Sequence, residues 1–212
     1  MIAAKGGADP DMNFKLRVVI DKARAASMPK ENIDRAIARA TTEAANLSEI
    51  SYEGFGPGGI AVIINIATDN KNRSAQEIKN LFERGGGSLA GPGAVSFNFE
   101  SKGFMLVDKS ADPESQMLQM IDLGVEDVAE SEDGIEVYTA PEKLSEERKK
   151  FEAAGFTMKE TELVMKPKNL QTVSDAALAA KALTFLDSVE DLEDVTGVFT
   201  NIDVPDEIMQ KL

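Results

Sequence analysis

Three sets of residues in this chain have types and spacings that could do chemistry. The first is basic. Lys15 and Lys22 are seven apart, as are Arg17 and Arg24, and Arg35 and Arg39 are four apart, with Lys30 between the groups. On helices these intervals return each pair to one side, so the chemistry on offer is contact with phosphate. Asp21, Glu31 and Asp34 intervene, which equally suits an ordinary solvated helix pair. The second set is Tyr52-Glu-Gly-Phe-Gly-Pro-Gly-Gly59, where Tyr52, Gly54, Phe55, Gly56, Pro57, Gly58 and Gly59 could form a bare loop whose backbone lies close to a large partner. The third is a polar cluster, Asn70, Asn72 and Arg73. Each has a bland alternative. Tyr52 and Phe55 could be core, and Asp69 with Asn70 could simply make a turn before a helix.

Composition removes much other chemistry. The 212 residues include no histidine and no cysteine, so the commonest general base, the commonest metal ligand and any thiolate site are missing. No catalytic residue, metal site or cofactor is expected. Glu130, Glu132, Asp133 and Glu136 lie close in sequence, but a charge run beside a hairpin reads as a solvated face. No run of about 18 apolar residues is present, which argues against a membrane span. The start, Met1 to Gly7, lacks the apolar core of a signal peptide. Net charge is −14, spread unevenly. Residues 1–48 hold eight basic and six acidic side chains, whereas residues 101–212 hold eleven and twenty-five. A surface that meets nucleic acid should therefore lie in the first half.

Elements must position these residues. Asp9-Pro10 reads as a helix start, with Asp9 as cap, and the helix runs to Ala26 with Leu16, Val19, Ile20 and Ala23 on its apolar face. Ser27-Met28-Pro29 ends it, and a second helix runs to Thr42 with Ile33, Ala36, Ile37 and Ala40 facing inward. Two such helices bury little core alone. Ile60 to Ile66 is almost wholly apolar, as in a strand covered on both faces. Ser74-Ala-Gln-Glu77 reads as a capping box for a helix to Arg84, stopped by Gly85-Gly-Gly87. Gly54, Gly56 and Gly59 satisfy G-x-G-x-x-G, but a dinucleotide loop follows a strand and opens a helix, and these glycines precede a strand. That leaves a tight strand connection or a close-approach loop, which element order does not separate. Ala94 to Glu100, with Val95, Phe97 and Phe99 alternating, reads as a half-buried strand.

From Gly103 to Met165 the order is strand, helix, strand, Asp133-Gly134 turn, strand, helix from a Thr139-Ala-Pro-Glu142 capping box, strand. That βαββαβ order is the ferredoxin-like split unit. A helix near 174–186 and a strand near 195–200 follow, with no vacancy in that unit, while residues 50–100 lack a helix and a strand. The chain therefore returns. The fold class is α+β, mixed α/β: a helical domain at 1–48, incomplete on its own; a discontinuous central α/β domain at 49–101 and 168–203; an inserted ferredoxin-like domain at 102–167; and a solvated tail at 204–212. As a fold-level analogy, the inserted domain could be a small-molecule-binding or dimerisation module.

Specific stretches carry a resemblance: Asn13-Phe-Lys-Leu-Arg17, Met28 to Ile37, Tyr52 to Gly59, Thr68-Asp-Asn-Lys-Asn-Arg73, Tyr138-Thr-Ala-Pro141, Met165-Lys-Pro-Lys-Asn169 and Asn201-Ile-Asp-Val-Pro205. Through them the chain resembles the YebC family of bacteria, which includes a mitochondrial translational activator of cytochrome oxidase subunit I. The resemblance implies the same discontinuous architecture. It also implies a further N-terminal segment, rich in Lys, Arg and His, ahead of the part matched here. For function it implies work in gene expression, either as a DNA-binding transcriptional regulator or as a ribosome-associated translation factor that aids synthesis of difficult stretches such as consecutive prolines. The expected partner is nucleic acid, ribosomal RNA or duplex DNA, with no membrane, a monomer favoured, and a cytoplasmic location or the mitochondrial matrix in a eukaryote. No helix-turn-helix signature, zinc finger or basic zipper is identified, and bare glycine loops with modestly basic helices suit folded RNA better than a base-reading element.

Overall fold

A computed structural model describes residues 7–43 and 47–212. The expectations for the first six residues lie outside that range. The elements run α1 Phe14–Ala25, α2 Lys30–Glu43, β1 Ser48–Phe55, β2 Ala61–Thr68, α3 Lys71–Gly85, β3 Ser88–Ala90, β4 Phe99–Val107, α4 Pro113–Asp122, β5 Asp127–Glu130, β6 Ile135–Thr139, α5 Leu144–Ala153, β7 Met158–Pro167, β8 Gln171–Thr172, α6 Ala176–Glu190, β9 Val195–Thr200, β10 Ile202–Asp203 and α7 Asp206–Met209. The fold is α+β. The chain divides into two compact units, Met1–Ala45 with Ser101–Val164, and Asn46–Glu100 with Met165–Leu212. Among the described residues no helix is long and apolar enough to cross a membrane.

The first unit carries the four-stranded sheet β5-β6-β4-β7, the ferredoxin-like order expected from βαββαβ. β4 and β6 pair antiparallel from Gly103↔Thr139 to Val107↔Ile135. Met105, Val107, Ile135 and Val137 from these strands pack with Met120 of α4 and with Leu144 and Phe151 of α5. Val18 of α1 joins this same core. Leu16 and Ile20, on the adjoining face of α1, pack with Ile33 and Ala40 of α2. α1 therefore buries two faces, and that is how a short helix pair finds enough apolar contact.

The second unit carries the sheet β3-β1-β2-β9. β1 and β2 form an antiparallel hairpin in register from Ser48↔Thr68 to Phe55↔Ala61. β9 pairs antiparallel with β2 on the other side, so the chain does return to complete this sheet. Ile60, Val62, Ile64 and Ile66 pack with Ile78 and Phe82 of α3 and Phe185 and Val189 of α6. Ala61 and Ile63 face Val95 and Phe99 instead. Both faces of β2 are covered, as its almost wholly apolar run from Ala61 to Ala67, broken by Asn65, requires.

Several local expectations are corrected. α1 begins at Phe14 with Asn13 as its cap, whose Oδ1 accepts from Leu16 N at 3.1 Å, while Asp9 accepts from Asp11 N in the preceding turn. Val19 and Ala36 are exposed. α3 starts one turn early because Asn70, not Ser74, is its cap. Residues 96–98 form a 3-10 turn rather than a strand, because the amides of Val95 and Ser96 are drawn to a carboxylate instead of a ladder partner. The 139–142 stretch makes a 3-10 turn at Pro141–Lys143 with no side-chain cap on α5. The tail at 204–212 is partly structured: α7 spans Asp206–Met209, and Val204 and Ile208 pack on the second unit's core, just after β10 pairs parallel with β8.

Candidate nucleic-acid interface

The basic residues of α1 and α2 divide by what their side chains already do. Arg17 is half-buried, and its guanidinium donates to the carbonyls of Pro10 at 2.9 Å and Asp11 at 2.8 Å. It pins the turn ahead of α1, whose cap Asn13 also donates to Gly7 O at 2.9 Å. Arg24 reaches Asp21 at 3.7 Å from a largely exposed position. Lys22 lies where its charge favours ionisation of Glu162, a carboxyl that burial pushes above the usual range. Lys15, Lys30 and Arg35 are exposed and, among the described residues, form no ion pair. Arg39 is exposed as well. Lys30 and Arg24 rim a groove of about 400 Å³ floored by Ile20, Ile33 and Ile37.

The turn from α1 to α2 is four residues, Ala26 to Pro29. Ser27 N donates to Arg24 O and Met28 N to Ala23 O, both at 2.9 Å, the paired bonds of a Schellman end. Such an end needs a left-handed residue, and Ser27 supplies it at φ 59 where glycine is usual. The break falls where Ser27-Met28-Pro29 reads as the end of the first helix; what the sequence does not show is the left-handed Schellman geometry that closes it.

The glycine loop is a hairpin tip. Gly56, Pro57 and Gly54 are buried. A Cβ at Gly54 would stand 2.6 Å from the Phe82 ring and 2.7 Å from Ser88 O, and one at Gly56 would stand 2.9 Å from Ile60. Gly58 and Gly59 adopt φ +80 and +74. Tyr52 packs against the core, while Phe55 and Gly59 are exposed. Most of the glycine content therefore serves the chain's own packing, with a small outward surface left at the tip.

The polar cluster does different work from that expected. Asn70 Oδ1 accepts from Arg73 N at 3.1 Å. Arg73 bridges Asp69 at 3.2 Å and Asp194 at 3.0 Å. Asn72 is exposed. Beside them Ser74 donates to Asp194 at 2.7 Å and lies 2.8 Å from Thr68 Oγ1. The Ser74 hydroxyl is the largest influence on the Asp194 carboxyl, and with Arg73 it holds that group below its usual range despite partial burial.

Two further arrangements were not found from sequence. Glu53 is buried, and its carboxylate accepts from the amides of Gly93, Val95 and Ser96 at 2.8 to 2.9 Å. Burial opposes its charge, but the three amides outweigh that and keep its pKa low. The second acid of β1, set between Tyr52 and Gly54, with Gly91-Pro-Gly93 later in the chain, was the available signal. Asn98, Asn169 and Asn201 form an amide network, in which Asn98 Nδ2 and Asn201 Nδ2 both donate to Asn169 O at 3.1 Å. Asn169 and Asn201 lie in stretches that carried the resemblance, but nothing in their spacing shows that they meet.

Comparison with known proteins gives the following. A family model described as the TACO1/YebC second and third domain matches residues 47–202, and one described as the TACO1/YebC protein N-terminal domain matches residues 1–43. Relatives named probable transcriptional regulatory protein include one from Maridesulfovibrio salexigens, 43% identical with 100% of this chain and 86% of the relative covered. One from Thermotoga petrophila is 45% identical, with 99% and 84% covered. A conserved hypothetical protein from Aquifex aeolicus, solved by crystallography, superposes with a TM-score of 0.86 at 37% identity, covering 98% of this chain and 87% of that one.

Proposed function

This chain belongs to the TACO1/YebC family, and from that premise we propose that it is a YebC-type regulator of gene expression that acts on RNA in the ribosome, as a translation factor aiding synthesis of difficult stretches such as consecutive prolines. The observation that carries this reading is the distribution of charge over α1 and α2. A helix-turn-helix protein places its second helix in the major groove and reads base edges from it. Here α2 holds three basic and three acidic residues, whereas α1 holds four and one. The more basic helix is the wrong one for groove reading. Exposed cations such as Lys15, Lys30 and Arg35 suit phosphate contact on a folded RNA, where shape rather than base sequence is recognised.

A second reading is a DNA-binding transcriptional regulator. The names of the relatives favour it, and so does the four-residue turn between α1 and α2. In either reading the helices at 1–48, the discontinuous domain at 49–101 and 168–203, and the inserted domain at 102–167 are proposed as the functional divisions. The reading assigns no catalytic residue, and it places a monomer in the cytoplasm, or in the mitochondrial matrix in a eukaryote.

The test is co-sedimentation with ribosomes across a salt series, beside a titration with duplex DNA. Pelleting near physiological salt that weakens steeply as salt rises, with weak and sequence-blind DNA binding, supports the translation reading. Strong preference for particular duplexes with no ribosome association overturns it in favour of the second.

A further inference from the structure

A groove of about 650 Å³ runs between α3 and α6 of the second unit. Its floor forms where the two helices touch. Phe185 of α6 is 3% exposed, its ring centre lies 5.1 Å from that of Phe82, and it presses on bare backbone, because a Cβ at Gly85 would collide with it. Leu81 and Leu192, both half-buried, wall the groove. The helices run antiparallel. Lys181 Nζ occupies the place of a Cβ at Gly86, where α3 ends, and Asp194, beyond α6, bonds Ser74 near the start of α3. The groove therefore has two unlike ends, with Arg84 and Lys181 at one and Leu192 at the other.

Charge decides what such a groove can hold. Its lining carries two cations and, among the described residues, no acid, in a chain of net charge −14. The acids of these helices, Glu77, Glu83, Asp187 and Glu190, and the capping Asp191 are not lining residues, and Glu83 reaches Lys79 at 3.8 Å instead. Arg84 donates through Nε to Asn80 O at 3.3 Å, which leaves its terminal nitrogens available. Some of this charge answers the carbonyl end of α3, but a helix end carries only about half an elementary charge, so two cations leave roughly +1.5. Thr184 and Ser188 also line the groove, yet their hydroxyls donate to carbonyls of their own helix at 2.8 and 2.7 Å. The side-chain donors left for a ligand are the two cations.

We propose that this groove binds a small organic anion with an apolar body, of the class of medium-chain aliphatic carboxylates. The carboxylate lies between Arg84, whose guanidinium offers paired donors, and Lys181, and the chain lies over Phe185 toward Leu192. Between Lys181 and Ser188 α6 rises about 10 Å at 1.5 Å per residue, which is room for a chain and not only for a bare ion. The volume falls in the range of about 300–1,000 Å³ usual for small-ligand sites, and the recessed Phe185 suits an entering chain better than a flat membrane. The inference goes beyond the regulator reading and does not depend on it.

The experiment titrates the whole chain with decanoate, below its micellar concentration, in a calorimeter, beside decanol and acetate. Decanoate should bind about tenfold or more tighter than either, since decanol lacks the charge and acetate lacks the chain. Arg84→Gln and Lys181→Gln should each weaken decanoate about tenfold while leaving decanol unchanged. Thr184→Trp, which fills the groove from an exposed position, should abolish binding of both. All three positions are exposed, so each variant should keep the parent's circular dichroism melt. Equal affinity for decanoate and decanol overturns the proposal, as does decanoate binding that survives Thr184→Trp. Flotation with anionic vesicles without decanoate binding in solution would mean a membrane-facing surface and overturns it as well. A parent that binds no decanoate yet pellets with ribosomes removes this site and leaves the translation reading standing.

Discussion

The Ser74 hydroxyl donates to the Asp194 carboxylate at 2.7 Å, joining two residues 120 positions apart in the chain. Ser74 lies in the first turns of α3 and Asp194 immediately precedes β9, so the bond fastens the returning segment to the helix opened by Asn70. Arg73 reinforces it from the surface at 3.0 Å. This pairing has a pH signature. The folded-state pKa of Asp194 is depressed, so its contribution is complete above the unfolded value and is lost as pH falls through the folded one. Asp194→Asn is expected to cost about 1.5–3 kcal/mol at pH 7, the range for a hydrogen bond to a charged group. Urea unfolding at pH 7 and near pH 2.5 checks this. The gap between variant and parent should narrow at the lower pH, and an equal gap at both would mean that charge is not what the site uses.

Glu53 gives a sharper case, because its carboxylate is the acceptor for three amides at once. Glu53→Ala leaves those donors without a partner in a largely dry setting and should cost about 3 kcal/mol or more. Glu53→Gln keeps one acceptor oxygen and should cost less. Hydrogen exchange at Gly93, Val95 and Ser96 is the specific readout. Those amides should exchange faster in both variants, and faster in the parent itself as pH falls through the folded pKa of Glu53, after allowance for the intrinsic pH dependence of exchange.

The end of α1 offers a stabilising change. Ser27 holds the left-handed position of a Schellman end at φ 59, a conformation that costs a residue with a Cβ about 1–2 kcal/mol. Ser27→Gly removes that cost but adds freedom to the unfolded chain. The net expectation is a gain of about 0.5–1 kcal/mol, read as a rise in the denaturation midpoint. A loss of stability would mean that the serine side chain makes a compensating contact.

The basic residues should separate by role. Arg17→Ala removes both bonds to the turn at Pro10 and Asp11, so it should lower the melting temperature as well as any affinity for nucleic acid. Lys15→Ala and Arg35→Ala should leave stability alone, since both side chains are exposed and unpaired among the described residues. If they touch phosphate, each should flatten the logarithmic salt dependence of binding by roughly 0.7–0.9. A steep parent slope left unchanged by both variants would place the phosphate contacts elsewhere.

Much of this architecture was legible because it rests on patterns of short range. The strand at 195–200 and the hairpin at 135–139 follow from alternation and turn residues, and the return of the chain follows from counting elements against a complete βαββαβ unit. What escaped depends on partners remote in sequence. Val18 looks like the polar-side neighbour of Leu16 and Ile20 until the inserted unit supplies Leu144 and Phe151 for it to bury against. Ser74-Ala-Gln-Glu77 fits a capping box and Asn70-Lys-Asn-Arg73 does not, yet Asn70 is the cap, because the Ser74 hydroxyl is taken up by Asp194. Arg17 and Lys15 have the same charge and similar spacing, yet one side chain is committed to the fold. Helical periodicity reports the face of a residue but not what already occupies its hydrogen-bond donors.

The glycine loop allows packing and contact to be told apart within six residues. Gly54 has no room for a Cβ, because Phe82 is 2.6 Å away and the Ser88 carbonyl, which belongs to backbone, is 2.7 Å away. Gly54→Ala should therefore push β3 from β1 and destabilise the second unit by several kcal/mol, within the range of severe core defects. Gly59 has nothing within 4 Å, so Gly59→Ala meets only the left-handed backbone cost of about 1–2 kcal/mol at φ +74. Below the melting transition Gly59→Ala should remain folded, which makes it the informative variant. If the tip lies against RNA, the added methyl should weaken ribosome pelleting at a temperature where circular dichroism shows no loss of structure. If pelleting is unaltered, the loop's glycines serve the hairpin alone, and contact must come from elsewhere, the exposed lysines of α1 and α2 first.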